Sequence, residues 1–129
     1  MESSGSAKVS VVDALRSCQQ KFEAQERMLS GLFSQLDSEL DKLGNMGLSL
    51  SAKNDIVMST EYLLVRLRSK LISELSSIQM VLSGGPAVAI QKAFKERLNA
   101  VLVYLARLNE LRADFELIQR TRYTNNWRQ

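Results

Sequence analysis

Few residues in this chain could do chemistry, and their spacing argues against most reactions. Histidine is absent. Imidazole is the commonest general acid–base group and metal ligand near neutral pH, so its absence closes most routes to catalysis and to a zinc site together. The one cysteine, Cys18, falls on an apolar stripe four residues before Phe22, with no histidine to activate it. Thiol reactivity needs a cationic, exposed setting, so Cys18 is expected to be a buried structural thiol. Asp37, Glu39 and Asp41 could suggest a hard-cation site. On a helix, however, residues two apart point to different sides, and no loop carries calcium-ligand spacing. They read as a solvated helix end. Gly84-Gly85-Pro86 lacks the GxxxxGK[ST] pattern of a phosphate-cradling loop and follows a helical segment where that motif needs a strand, so it predicts a helix–helix turn. The expectation is a non-enzymatic chain with no cofactor and no metal.

Nucleic-acid binding is the main competing chemistry. Arg66, Arg68 and Lys70 make one basic group, Lys92, Lys95 and Arg97 a second, and Arg120, Arg122 and Arg128 a third beside Tyr123 and Trp127, whose rings could stack on bases. Arg66 and Arg68 diverge by about 200° around a helix. Glu61, Glu74 and Glu96 interrupt the groups. The net charge of +3 is mild for a nucleic-acid footprint. The candidate set under this alternative, a basic helical RNA-binding factor of viral or regulatory type, is Arg66, Lys70, Lys92, Lys95, Arg120, Arg122 and Arg128.

The elements that must position these residues are helical. One proline and six glycines leave long stretches without breakers, which cluster at Gly44-Asn45-Met46-Gly47 and at Gly84-Gly85-Pro86. The first segment, about 9–43, carries Val11, Leu15, Cys18, Phe22, Gln25, Leu29, Leu32, Leu36, Leu40 and Leu43 in steps of three and four, the spacing of knobs-into-holes packing. Gly44 is placed to end it with positive φ. The second, about 52–82 behind a Ser51 cap, has a principal stripe of Val57, Leu64, Leu67, Leu71, Leu75, Ile78 and Leu82. A second stripe, Met58, Tyr62, Val65 and Ile72, lies about a quarter-turn away. The third, about 86–123, opens with Pro86 in its first turn. Its stripe is Ile90, Phe94, Leu98, Val101, Leu105, Leu108, Phe115 and Ile118, widened by Leu102 and Leu111. Residues 1–8 are expected to be a disordered tail and 124–129 a frayed one, leaving 9–123 as a single domain.

Three helices of matched length joined by short links predict an all-α, antiparallel up-down-up three-helix bundle with coiled-coil-like helices. Charge fits that arrangement: residues 1–60 hold 6 basic and 8 acidic side chains and residues 61–129 hold 11 and 6. The acidic end of helix one would lie beside Arg112, Arg120 and Arg122 of helix three. In helix count and length the architecture resembles spectrin-like repeats and the helical subunits of tethering, cytoskeletal or kinetochore assemblies, a likeness that fixes no function.

No apolar run approaches a membrane span, the longest notable one being Val101 to Leu105. The first residues lack the basic start and apolar stretch of a secretory signal, and a lone cysteine suits a reducing compartment, cytoplasm or nucleus. Three helices around one core bury one broad face each, which leaves Tyr62, Val65, Ile72, Val103, Tyr104 and Leu117 in surplus. With Trp127 and Arg128 of the tail, residue types that dominate binding energies, these are the candidate partner-binding residues. The sequence therefore predicts a scaffold or adaptor subunit that packs against helical protein partners, in a homo- or hetero-oligomer.

Overall fold

The computed structural model describes the backbone of residues 2–45 and 47–128, and side chains for residues 11–45 and 47–121. It is an all-α bundle of three helices: α1 (Glu2–Leu43), α2 (Leu50–Ser83) and α3 (Val88–Arg128). At 1.5 Å per residue they are about 63, 51 and 62 Å long. Helix α1 starts earlier than the sequence pattern predicts, at Glu2, and α3 ends later, at Arg128, while α1 ends at Leu43 as expected. No proline interrupts the flanks, and the backbone ladder continues into residues 2–8 and 124–128 without an apolar stripe to mark it. Trp127 and Arg128 have backbone positions here, but their side chains lie outside the described residues, as does that of Arg122.

The turns show why the helices stop. The Gly44 N–H donates to the carbonyls of Leu40 and Asp41 (3.2 Å each), and that of Asn45 donates to Lys42 (3.0 Å). Gly44 does this without positive φ; among the described residues only Gly85 adopts it, at 64°. Helix α2 is capped by Ser49, two residues before the expected Ser51, with its Oγ accepting from the Ala52 N–H at 3.2 Å. Pro86 precedes α3 instead of lying in its first turn, because Gly85 reverses the chain and the first bond of the new ladder runs from the Gln91 N–H to the Ala87 carbonyl at 2.8 Å.

The packing is antiparallel between neighbours in sequence. Contacts between α1 and α3 advance together, from Phe22 with Phe94 through Glu26 with Arg97 to Asp37 with Arg107, so these two run parallel. Helix α2 runs the other way, with Glu74 beside Arg97 and Leu64 beside Phe115. The core holds Leu29, Leu32, Phe33, Leu36, Leu40 and Leu43 from α1, Leu63, Leu64, Leu67, Leu71 and Ile78 from α2, and Phe94, Val101, Leu108 and Phe115 from α3. Cys18 and Phe22 pack against it, each only half-buried, so Cys18 is less enclosed than the buried thiol that the stripe of α1 predicts. Leu102 does not widen the core; it is exposed. Thr60 is fully buried and satisfies its hydroxyl by donating to the Ile56 carbonyl at 2.7 Å.

Candidate functional site

Among the described residues, two places in the bundle stand out as candidates. The first is internal. Arg97 and Glu74 are each only 7% exposed and sit on core-facing positions of α3 and α2. Arg97 donates from Nε and Nη2 to the two carboxylate oxygens of Glu74, the second at 3.2 Å, and from Nη1 to Glu26 of α1 at 2.6 Å. Tyr104 donates its hydroxyl to the other oxygen of Glu26 while its ring stacks on Phe33, centroids 5.3 Å apart. One guanidinium thus joins all three helices, with the bidentate geometry that only arginine provides.

The protonation of this cluster follows from its surroundings. Burial raises the Glu26 carboxyl, but the bonds from Tyr104 and Arg97 and the charge of Arg97 outweigh it and hold Glu26 below the usual glutamate value. Burial, reinforced by the bond to Glu26 and its charge, pushes the Tyr104 hydroxyl above the usual tyrosine value. Burial lowers Arg97, but its bonds to the two carboxylates raise it further still, so it stays charged. The cluster presents no uncommitted base or nucleophile. It is a three-helix staple.

Sequence reasoning groups Arg97 with Lys92 and Lys95 as a basic surface and treats Tyr104 as surplus apolar surface; both residues instead point inward. The signal was available in part. Arg97 falls between Phe94 and Val101 in three- and four-residue steps, and Glu74 stands in the same relation to Leu71 and Ile78. Opposite charges on the core positions of two adjacent helices are a buried pair in the making. Arg107 departs from the expected charge pairing as well: it meets Asp37 at 2.7 Å and lies over the Phe33 ring at 4.7 Å. Arg112 forms an ion pair within its own helix, with Glu116 at 3.6 Å.

The second place is the outward side of α2. Met58, Tyr62, Val65, Ile72 and Met80 are all exposed, Val65 by 70% and Tyr62 by 61%. Ser69 and Ser76 fill the intervening positions, so the steps read four, three, four, three, four, four. This stripe lies about half a turn from the buried face of Thr60, Leu63, Leu67, Leu71, Glu74 and Ile78. It was placed too near the core by the sequence pattern, because Thr60 and Glu74 are polar and do not register in an apolar count. Helix α2 therefore has heptad spacing twice, once toward its own bundle and once toward solvent.

Between this stripe and α3 runs a groove of about 880 Å³. Leu64, Leu108 and Phe115 form its floor, Val65, Ser69 and Ile72 one lip, and Glu61, Arg68, Arg112 and Glu116 its charged rim. Among the described residues, neither Glu61 nor Arg68 has an ion-pair partner. An apolar floor with charged edges suits the a and d side chains of a further helix, with the flanking charges meeting its e and g residues.

The other candidates are dispersed. Tyr62 is on the same stripe but leans toward α1, where it lines a shallower groove with Ser38 and Glu39 and is partly covered by Arg66, whose Nη1 is 3.4 Å from its hydroxyl. Leu117 lies between α3 and α1 with Leu40 and Leu111. Val103 is exposed on α3 away from all three grooves. Of the basic set, Arg66 and Lys70 are on the α1 flank of α2, while Lys92 and Lys95 open α3 and Arg120 stands about 42 Å along it from Lys92. These do not form one patch. No family model matches the chain, and neither curated proteins nor solved structures yield a match. No helix among the described residues is long and apolar enough to cross a membrane.

Proposed function

We propose that this chain is a non-catalytic helical-bundle subunit that scaffolds or bridges a protein assembly by docking a helix against α2. The single observation that carries the reading is the outward stripe of α2, Met58, Tyr62, Val65, Ile72 and Met80, beside an open apolar groove. Scattered exposed apolar residues are ordinary on a soluble surface; five on one side of one helix, four of them (Met58, Tyr62, Val65 and Ile72) in heptad register, are not. The staple at Arg97 supports the same reading from the other direction. It commits Arg97, Glu74, Glu26 and Tyr104 to holding the three helices together, whereas Glu61 and Arg68 on the rim of the groove have no ion-pair partner among the described residues.

The test compares the wild type with Val65→Glu in its native source. Val65 is 70% exposed, so the substitution leaves the core intact and helicity by circular dichroism unchanged. The wild type should migrate in an assembly larger than its own 14.5 kDa, and Val65→Glu should migrate at its own size. An assembly that survives Val65→Glu removes the groove from the account. An assembly that dissolves with nuclease, and whose RNA affinity falls steeply between low and moderate salt, would replace it with the RNA-binding alternative.

A further inference from the structure

The groove's charges are ordered, and their order specifies an occupant. On α2 the acidic residue of the rim, Glu61, comes first and the basic one, Arg68, follows seven residues later on the same flank. On α3 the order in sequence is reversed, Arg112 then Glu116. Because the two helices are antiparallel, both walls change from acidic to basic in the same direction along the groove. A two-fold axis perpendicular to such a groove lays the acidic end of one copy on the basic end of another.

We infer that the outward stripe of α2 pairs with the same stripe of a second copy, antiparallel, in a two-fold symmetric dimer. The inference rests on the helix-docking reading above and names its occupant. Heptad geometry fixes the register. In an antiparallel pair each a residue meets a d residue, and residues on the same flank face one another. With the axis passing between residues 63 and 64, Tyr62 packs on Val65 of the second copy and Met58 on its Ser69. The same register brings Glu61 opposite Arg68 of the second copy, and symmetry makes each contact twice. On the far flank Arg66 faces Ser59, so no like charges meet. Shifting by one heptad would set Arg68 against its own symmetry mate, which the charge pattern opposes. Ile72 falls at the edge of the pairing, beside Asp55, and is expected to matter less than Val65.

Sedimentation equilibrium on the purified full chain reads this directly. The wild-type mass should rise from 14.5 kDa toward twice that value as concentration rises through the micromolar range. Glu61→Arg or Arg68→Glu alone should weaken association at least about tenfold, since each sets two like-charge contacts facing one another. The double variant Glu61→Arg with Arg68→Glu should recover association to within about threefold of wild type, because the pairs re-form with their signs exchanged. All four side chains involved in the swap are on the surface, and unchanged helicity in each variant shows that the bundle is intact. A chain that stays monomeric up to about 1 mM overturns the second-copy inference, as does a dimer indifferent to both single reversals. The docking reading would still stand if Val65→Glu dismantled the native assembly; it falls separately if that assembly survives.

Discussion

Replacing Arg97 by methionine keeps most of the volume of the stem and removes the guanidinium that joins three helices. Glu74, 7% exposed, is then left as a buried carboxylate without its two donors. Breaking a buried pair by removing one partner costs about 3–5 kcal/mol, because the other charge stays desolvated and unmatched. Glu26 adds little to that figure, since its side chain is 47% exposed and water replaces the lost bond. The contact of Arg97 with the Phe22 ring, 5.8 Å from the centroid, adds about 0.5 kcal/mol. Against a typical domain stability of about 5–15 kcal/mol, the loss is large, equivalent to roughly 10–20 °C in Tm. Urea denaturation followed by circular dichroism measures it. Arg97→Met with Glu74→Leu should recover most of the loss, because an apolar pair of similar volume carries no desolvation penalty. A loss below about 1 kcal/mol for Arg97→Met, or a double variant no more stable than the single one, would refute the reasoning.

Glu26 is held below its usual value, so its contribution is present above the ordinary glutamate range and lost as pH falls through the lowered folded value; Tyr104→Phe should therefore flatten the stability profile on the acid side of the ordinary glutamate range. Tyr104 is raised, so its contribution is present below the ordinary tyrosine range and lost as pH rises through the folded value, and the same variant should flatten that alkaline limb too. Both limbs are read from melting temperature against pH, and an unchanged acid limb would remove Tyr104 from the network. Gln25 Oε1 is buried in α1 without a hydrogen-bond partner among the described residues, so Gln25→Leu should stabilise the bundle by about 1 kcal/mol in denaturant titration; a loss of stability would mean the amide is satisfied. Leu67→Ala, at a fully buried position, should cost about 2–5 kcal/mol on the same assay. Gly85→Ala should cost about 1 kcal/mol, because φ is +64° although nothing crowds the added Cβ; a neutral result would mean the turn relaxes.

The bundle was legible because its signals are local and redundant. Leu29, Leu32, Leu36, Leu40 and Leu43 repeat at three and four, and the glycine clusters at 44–47 and 84–85 stand between the periodic segments. Helix ends were less so: Ser49 and Ser51 are chemically alike, and which one caps depends on where the chain leaves the turn. Polar residues at core positions were the larger omission. Arg97, Glu74 and Thr60 interrupt an apolar count, yet each is buried because its polar atoms are satisfied: Arg97 and Glu74 by each other across the packed helices, Thr60 by the Ile56 carbonyl one turn back in α2. That omission rotated the apparent core face of α2 and made its outward stripe look like a neighbouring flank. Tyr62, Val65 and Ile72 were found as surplus residues, whereas their continuation through Ser69 and Ser76 to Met80 needed the true core direction. Glu61 and Arg68, seen singly, are a like number of opposite charges on a helix; only the antiparallel run of α3 gives their order a meaning.

The claim that the α2 groove is a helix-docking surface is tested most directly by site-specific photocrosslinking in the native source. A photoreactive residue at Ser69, exposed on the stripe and on the lip of the groove, reports contact without changing the core. A control at Val103, exposed on α3 and outside the grooves, reports accidental encounter. Ser69 should give a discrete protein adduct whose crosslinked peptide is helical and apolar on one side, the chain's own α2 if the occupant is a second copy, and Val103 should give none. A discrete adduct from Val103 with none from Ser69 would contradict the claim.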